Sequence, residues 1–337
     1  MKTILLIVEI LIINAAFAQT PSFQWAKTFS GNYYEICNDV AVDDSGNVYT
    51  TGYFNNSVDF DPGPGSFIMT NFFANNAFIC KLDPNGNFVW AVQLDASSGA
   101  EGNKISIDNS GNVIVAGIFH YTVDFDPGSN NFDLTSAGGS EIFIWKLTPQ
   151  GNLIYAKQFA GAGNQFVQSF ELDENDNMYL GGLLDVDSVD FDPDSGAHYI
   201  HGVTSASGFI CKLSPQGQLN WVKQLNGSAT SLHISNTHTN INNQFVVTGY
   251  FNHAIDFDMG SGNYTLTASG SFGDEDVFIA SYDTAGNFSW AKQIGYWYKD
   301  MATDITCDDN GNIYTSGTFS NTVDFDPGNS TSNLVGP

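Results

Sequence analysis

The chain has 337 residues and a formal net charge of −26, and all of its cationic side chains are lysines. This charge argues against nucleic-acid binding, because cations that neutralise phosphates supply most of that affinity. Without arginine, the chain also has no guanidinium fork for bidentate binding of carboxylates or phosphates. Only 14% of the residues are charged, and Gly, Asn, Ser and Thr fill the polar positions, as is typical of turn-rich β proteins.

The N-terminal segment 1–18 predicts a signal peptide. Lys2 precedes an apolar run of roughly fifteen residues, and Ala16-Phe17-Ala18 supplies a small-residue cleavage pattern. The run is short for a membrane span, which needs about twenty residues. We therefore expect export, cleavage near Ala18 and a mature domain over residues 19–337 without a membrane span.

A repeat of roughly 65 residues fills the rest of the chain. Five aromatic residues of the Trp-Ala-Lys-like segments define it at steps of 65, 65, 66 and 69 residues, namely Trp25, Trp90, Tyr155, Trp221 and Trp290. Self-similarity at a fixed period indicates a repeat architecture. The predicted units cover about residues 23–90, 91–155, 156–221, 222–290 and 291–337, the last of them truncated.

Each complete unit is predicted to contain four β-strands. In chain order, unit 1 has the strand DVAVD (39–43), the turn DDSGN (43–47), the strand VYTTGYF (48–54), the segment VDFDPG (58–63), the strand FICKL (78–82), the turn DPNGN (83–87) and the strand FVWAVQL (88–94). Alternating apolar residues, β-branched and aromatic side chains and Asn-Gly turns are the signals of strands and hairpins. No segment has helical periodicity.

Four antiparallel strands in each of several repeats predict a β-propeller of four-stranded antiparallel blades. A β-helix fits less well, because its shorter coils would not return two tight turns in each unit. Unit 5 ends before a third strand, whereas FQWAKTF (23–29) is an unpaired fourth strand at the start. We therefore expect an incomplete ring of about 4.5 blades.

The run D-x-x-G-N-x-Y-x-T-G-Y/F followed by F-I-x-K-L-x-x-x-G-x-x-x-W resembles the SBBP repeat, a family named for its predicted seven-bladed propeller. The resemblance covers about residues 23–337. It implies a secreted bacterial protein of a kind that often carries a C-terminal sorting or adhesion module, and it implies no catalytic residues. Because unit 5 lacks its third and fourth strands, we expect the chain to be a fragment of a longer protein.

The segment VDFDPG returns, whole or in part, in all five units. In an extended strand alternate side chains share a face, so the two aspartates point away from the Val and Phe side chains. Two interpretations stay open. The aspartates could bind Ca²⁺, a hard cation that takes oxygen ligands, or they could cap backbone N–H groups or approach Lys81 and its equivalents while Val and Phe hold the insert. The ten candidate Ca²⁺ ligands are Asp59, Asp61, Asp124, Asp126, Asp190, Asp192, Asp256, Asp258, Asp324 and Asp326.

Cysteine and histidine predict neither a disulfide scaffold nor a metal site. Cys80 and Cys211 occupy the same position in two FICKL strands, so we expect small buried thiols. Cys37 could pair with Cys307 only if the ends of the chain meet. No histidine occupies a repeated position.

The function expected from these features is that of a secreted, non-enzymatic interaction or adhesion scaffold at the bacterial cell surface. It would require no cofactor, although Ca²⁺ could stiffen it, and its partner would be a protein or a glycan. The candidate contact residues are Phe67, Phe72, Phe73, Phe132, Tyr199 and Tyr264. The alternatives are a carbohydrate-active enzyme, glycosidase or lyase, which a cleft with unrepeated acidic residues would favour, and a purely structural surface segment.

Overall fold

A computed structural model describes residues 22–96, 98–184, 188–202, 207–240, 244–270, 273–328 and 330–336. The predicted signal peptide and the side chains of Phe72 and Phe73 lie outside the described residues. All regular elements of the described chain are β-strands, which confirms the all-β prediction. Within these ranges, no helix has the length and hydrophobicity that crossing a membrane requires.

Units 1 to 4 are four-stranded antiparallel sheets whose strands pair in chain order. Strand β1 (Ser30–Gly31) precedes unit 1, which contains β2 (Glu35–Val42), β3 (Val48–Asp59), β4 (Ile68–Leu82) and β5 (Phe88–Gln93), and β6 (Asp95–Ala96) follows. Unit 2 contains β7 (Ala100–Ile107), β8 (Val113–Phe119), β9 (Thr122–Asp124), β10 (Asp133–Thr135), β11 (Glu141–Leu147) and β12 (Leu153–Gly161).

The later units repeat this order. Unit 3 contains β13 (Gln165–Leu172), β14 (Met178–Leu184), β15 (Val189–Asp190), β16 (Tyr199–Ile200), β17 (Ser207–Leu213) and β18 (Leu219–Gly227). Unit 4 contains β19 (Leu232–Asn240), β20 (Gln244–Phe251), β21 (Ala254–Asp256), β22 (Thr265–Thr267), β23 (Asp276–Asp283) and β24 (Phe288–Ile294). Unit 5 contains β25 (Met301–Cys307), β26 (Ile313–Thr318), β27 (Thr322–Asp324) and β28 (Asn333–Val335). The predicted boundaries at residues 90, 155, 221 and 290 fall inside fourth strands, because the aligned aromatic residue lies in the middle of that strand.

The turn between the first and second strands is built by the aspartate of D-x-x-G-N. In unit 2, one carboxylate oxygen of Asp108 accepts hydrogen bonds from the backbone N–H groups of Ser110 and Asn112, and the other accepts from the Asn112 side chain. Gly111 has φ +77°, a conformation that side chains with a Cβ rarely adopt. The D-x-x-G-N pattern therefore supplies the hydrogen-bonding side chains and the positive-φ glycine that form the turn.

Neighbouring units bury apolar side chains against each other, in addition to a cluster within unit 1. One cluster joins Tyr49 and Ile79 of unit 1 to Phe143 and Trp145 of unit 2. Equivalent clusters join units 2 and 3, units 3 and 4, and units 4 and 5. A sheet that is apolar on both faces needs a neighbour on each side, so the units gain their cores by stacking.

Candidate functional site

The repeated VDFD segments form five insert hairpins, at residues 58–69, 122–135, 189–200, 254–267 and 322–335. In unit 2, one carboxylate oxygen of Asp124 accepts hydrogen bonds from the backbone N–H groups of Asp126 at 3.0 Å and Phe132 at 2.8 Å. Asp126 in turn accepts from Gly128 N–H at 2.8 Å. The same three bonds recur in the other four hairpins.

In unit 1, the backbone donors also determine the electrostatics of Asp59. The N–H groups of Phe67 and Asp61 hold the pKa of Asp59 below its usual value, because they stabilise the charged carboxylate. The aspartate is therefore kept ionised to serve as an acceptor for its own loop.

The apolar residues of the segment are buried on the opposite side. Val123 and Phe125 are fully buried, and so are their equivalents in units 1, 3 and 4. Phe125 packs against Phe119, Phe143 and Trp145 at ring-centroid distances of 5.5, 5.1 and 6.4 Å. The alternation predicted from the sequence is thus realised, with carboxylates toward the loop and rings toward the core.

Each of the first four insert hairpins also joins its unit to the preceding segment. Residues Ala160 and Gly161, at the end of the fourth strand of unit 2, pair with Asp190 and Val189 of unit 3. Equivalent pairs link β6 to β9, β18 to β21 and β1 to β3. The hairpin of unit 5 pairs with no other strand among the described residues. The VDFD segment is therefore a clasp between consecutive units.

The lysine of the third strand has a different partner from the one expected. Lys146 Nζ lies 2.8 Å from Asp108 of the first turn, and Lys212 Nζ lies 3.5 Å from Asp173. The expected approach of the VDFD aspartates to these lysines is wrong, because the clasp lies at the end of the second strand, while the lysine lies opposite the start of that strand. The capping role expected for the same aspartates is what the geometry shows.

The ten VDFD aspartates remain a Ca²⁺ prediction. No group of three or more His, Cys, Asp or Glu side chains suited to a metal ion occurs in the described part of the chain. Each aspartate already accepts backbone hydrogen bonds, so the pair has a structural role whether or not an ion binds.

Replacing Asp124 tests whether the VDFD aspartates cap backbone N–H groups or bind Ca²⁺. We expect Asp124→Ala to lower the free energy of unfolding by about 1–3 kcal/mol, because two backbone donors lose their acceptor. Asp124→Asn keeps an acceptor oxygen, and we expect it to cost less than about 1 kcal/mol. Chemical denaturation in EDTA measures both values. Repeating the melts in millimolar Ca²⁺ tests the ion: a rise in the wild-type melting temperature that both variants lose would support Ca²⁺ binding.

Comparisons with known proteins agree with this repeat geometry. Residues 24–57 match the family model of the SBBP β-propeller repeat. The chain is 25% identical over 247 residues to an uncharacterised WD repeat-containing protein of Acanthamoeba polyphaga mimivirus, a match that takes in 64% of this chain and 17% of the viral protein.

The chain is a β-propeller repeat protein. The predicted fold class is thereby confirmed, and no strand pairing closes unit 5 onto unit 1 among the described residues. A crystal structure of a protein of unknown function from Bacteroides caccae matches 76% of this chain and 81% of its own with 13% identity and a TM-score of 0.34, which is too low to bear on function.

The propeller carries exposed aromatic side chains at two kinds of position. Phe67, Phe132, Tyr199 and Tyr264, on the insert hairpins of units 1 to 4, are all at least 39% exposed. Sequence reasoning missed a second group, Tyr296-Trp297-Tyr298, which lies between units 4 and 5 and is more than half exposed throughout. The sequence signal for this group is the run of three aromatic residues itself, which lies between the predicted strands 288–294 and 304–308.

The Asp300 carboxylate and the Glu275 backbone bond the segment 296–298, which we call the aromatic loop. Asp300 accepts a hydrogen bond from the backbone N–H of Tyr296 at 3.1 Å, and the N–H of Glu275 donates to the Tyr298 carbonyl at 3.3 Å. Lys299 lies 3.1 Å from the Glu275 carboxylate, and the rings of Tyr296 and Trp297 stack at 6.0 Å. Burial raises the pKa of Asp300, although its backbone hydrogen bonds oppose that shift. The loop therefore presents three aromatic side chains on a fixed support.

The first strands of units 1 to 4 line an open cavity of about 250 Å³, which we call the axial cavity. Its lining includes Asp39, Lys104, Glu171 and Asn236. Burial, followed by the carboxylates of Asp304 and Asp39, raises the pKa of Glu171 to about 7. His238 Nδ1 lies 3.6 Å from Glu171, and burial lowers the pKa of this imidazole.

The axial cavity is where the units differ chemically. Glu171 aligns with Ala41, Ser106, His238 and Thr306 of the other units. The repeat pattern does not identify this position, because its residue differs in every unit. The sequence signal is this variation, two residues before the aspartate of the first turn, which is replaced by Asn240 in unit 4.

The two cysteines of the third strands are buried, as their position in the repeat predicted. Cys80 and Cys211 are fully buried, and Cys37 and Cys307 are free thiols. His198 and His201 are both exposed.

Proposed function

We propose that the propeller is a non-enzymatic interaction scaffold that is exported and acts at the cell surface, where its exposed aromatic residues bind a protein or a glycan. The observation that carries the proposal is the aromatic loop. Tyrosine and tryptophan supply large contact areas at a small cost in side-chain entropy, and they are enriched in binding sites for that reason. Here three of them lie on one loop whose backbone is bonded by the buried Asp300 carboxylate and by the Glu275 backbone.

The charge of the chain narrows the class of partner. A formal net charge of −26 repels polyanions over the range of a Debye length, so acidic polysaccharides and nucleic acids are disfavoured. Neutral glycans and neutral or basic protein surfaces are the partners that this surface suits.

Trp297 is a direct probe for binding, because it is the only exposed tryptophan among the described residues. We expect a titration with neutral oligosaccharides, such as cello-, manno- and xylopentaose, to shift its emission to shorter wavelength and to saturate for at least one of them. Trp297→Phe should abolish the signal and weaken binding measured calorimetrically, whereas Tyr34→Ala, at an exposed tyrosine in unit 1, should leave the affinity unchanged. Binding that Trp297→Phe leaves intact would remove the loop from the proposal.

A second function, that of a carbohydrate-active enzyme, is favoured by one observation. Glu171, with a pKa of about 7, lies in a cavity with a second acidic residue, Asp39, and a carboxyl that stays protonated near neutral pH is suited to general-acid catalysis. The same oligosaccharides decide between the two functions. Intact sugars after prolonged incubation support the scaffold, and cleavage that Glu171→Gln abolishes would establish the enzyme.

A further inference from the structure

Units 2 and 4 place a fully buried carboxylate at the first residue of the third strand, Glu141 and Asp276 respectively. In unit 2, both oxygens of Glu141 are bonded. Oε1 accepts from the backbone N–H groups of Ala137 and Gly161, and Oε2 accepts from the Gln158 amide. The glutamate thus ties the segment before its own strand to the segment that follows the fourth strand.

The shorter Asp276 leaves one of its oxygens without a donor. Oδ2 accepts from the Ser269 backbone N–H at 2.7 Å and from the Gln293 amide, which repeats part of the arrangement in unit 2. Oδ1 has no hydrogen-bond partner among the described residues. It faces Gly295, where an added Cβ would lie 2.6 Å from this oxygen. A charge on Oδ1 is therefore buried without a compensating hydrogen bond, which is costly.

The aromatic loop lies between Gly295 and a second buried carboxylate, that of Asp300. Asp300 accepts from the backbone N–H groups of Tyr296 at 3.1 Å and Ser320 at 3.0 Å. Its negative charge favours the protonated form of Asp276. The base of the loop therefore carries two buried carboxylates whose like charges repel.

The groups around this base are mostly acidic. The charged and titratable side chains near Asp276 are those of Asp274, Glu275, Lys299, Asp300 and, on the adjacent turn, His253. Lys299 is 61% exposed and pairs with Glu275 at 3.1 Å. Burial raises the pKa of Asp276 to about 6, the charge of Asp300 adds to the shift, and the hydrogen bonds to Asp276 oppose it. A proton on Asp276 relieves the repulsion at the base of the loop.

We propose that Asp276 is a proton latch for the aromatic loop. With a proton on Asp276 the loop stays closed over the two carboxylates, and with Asp276 and Asp300 both ionised it opens more readily. Opening lets water reach the Oδ1 atom that has no donor in the closed form. The inference deepens the proposed function, because it assigns a regulation to the same aromatic loop and rests on that proposal for its biological role.

The direction of the pH effect follows from the form of the loop that binds the proton more tightly. In the open form the Asp276 carboxyl is hydrated, and its pKa returns toward the ordinary value of 3.8. Between this value and about 6 the closed loop holds a proton that the open loop has released. The closed form is therefore fully favoured below pH 3.8 and loses this advantage as the pH rises through about 6.

Amide hydrogen exchange of residues 295–298, measured without any ligand, tests the latch. After correction for the intrinsic pH dependence of exchange, we expect these amides to exchange about tenfold or more faster at pH 7.5 than at pH 5. Asp276→Asn removes the charge and keeps an acceptor for the Ser269 N–H, so it should keep the loop protected at both pH values. Glu141→Gln changes the equivalent carboxylate of unit 2 and should leave the pH dependence of residues 295–298 as in the wild type.

Two results would overturn the proposal. One is protection of residues 295–298 that is equal at pH 5 and pH 7.5 in the wild type, a measurement that needs no variant to fold. The other is a pH dependence that Asp276→Asn retains. Because no ligand is present, the result is independent of the oligosaccharide titration. A loop that opens with rising pH and binds no oligosaccharide would support the latch and count against the proposed function alone.

Discussion

Phe125→Ala is expected to lower the free energy of unfolding by about 3–5 kcal/mol, the usual cost of removing a fully buried phenylalanine ring. The ring of Phe125 contacts Phe119, Phe143 and Trp145 at the junction of units 1 and 2. These three rings belong to unit 2, in the cluster that it shares with unit 1, so the removal leaves a cavity that surrounding buried side chains can fill only by repacking. Urea denaturation followed by circular dichroism measures the loss.

The control for this prediction is Phe325→Ala, the same residue of the repeat in unit 5. Phe325 is only partly buried and has Phe319 as its ring partner at 5.1 Å. We expect a cost of about 1–2 kcal/mol, since less apolar surface leaves water when this ring packs. Equal losses for the two variants would contradict the view that the VDFD phenylalanine is a core residue whose contribution depends on a complete third strand.

The sequence predicted the repeat, the strand order and the turn chemistry because these are local. Asp108, Gly111 and Asn112 make one turn within five residues, so their spacing alone shows the hydrogen bonds they form. The alternation of VDFD likewise predicted which side chains turn inward. All of this could be predicted because the interacting groups are neighbours in the chain.

The contacts that the sequence did not reveal join residues of consecutive units. The clasp pairs Ala160 with Asp190, and the Trp90 indole reaches the Pro149 carbonyl. Periodicity shows that such residues recur, but it does not show which unit each one contacts. The Lys146–Asp108 pair was missed for a related reason, since strand register across β8 and β11 decides it.

The axial cavity could not be predicted from the repeat, because its residues differ from unit to unit. The free energy of unfolding should depend on pH through Glu171 in this cavity. The pKa of Glu171 rises from an ordinary value of 4.5 to about 7 in the folded chain. Between these two pH values the folded state holds a proton that the unfolded state has released. Stability therefore falls as the pH rises through this window.

Glu171→Gln removes this titration, so its stability relative to wild type should grow with pH. A shift of this size would correspond to about 3 kcal/mol for a fully buried group. The Glu171 side chain is 31% exposed, and solvent screening reduces the expected gain to about 1–2 kcal/mol between pH 4.5 and pH 8. The comparison with wild type largely cancels the contributions of Asp39, Lys104, His238 and Asp304, which both proteins share.

Urea denaturation at pH 4.5, 6, 7 and 8 gives the difference directly, with Glu174→Gln as the control. Glu174 lies in the exposed turn that follows the same strand, so its replacement should give a curve parallel to that of the wild type. Parallel curves for Glu171→Gln as well would show that the cavity holds this carboxylate charged at neutral pH. A growing gap for Glu171→Gln alone would establish the axial cavity as a site that keeps an acid protonated near neutral pH, in a protein whose other units place Ala, Ser, His or Thr at the same position. Because proton uptake and release there would follow the occupancy of the cavity, any ligand that binds it should shift the same titration.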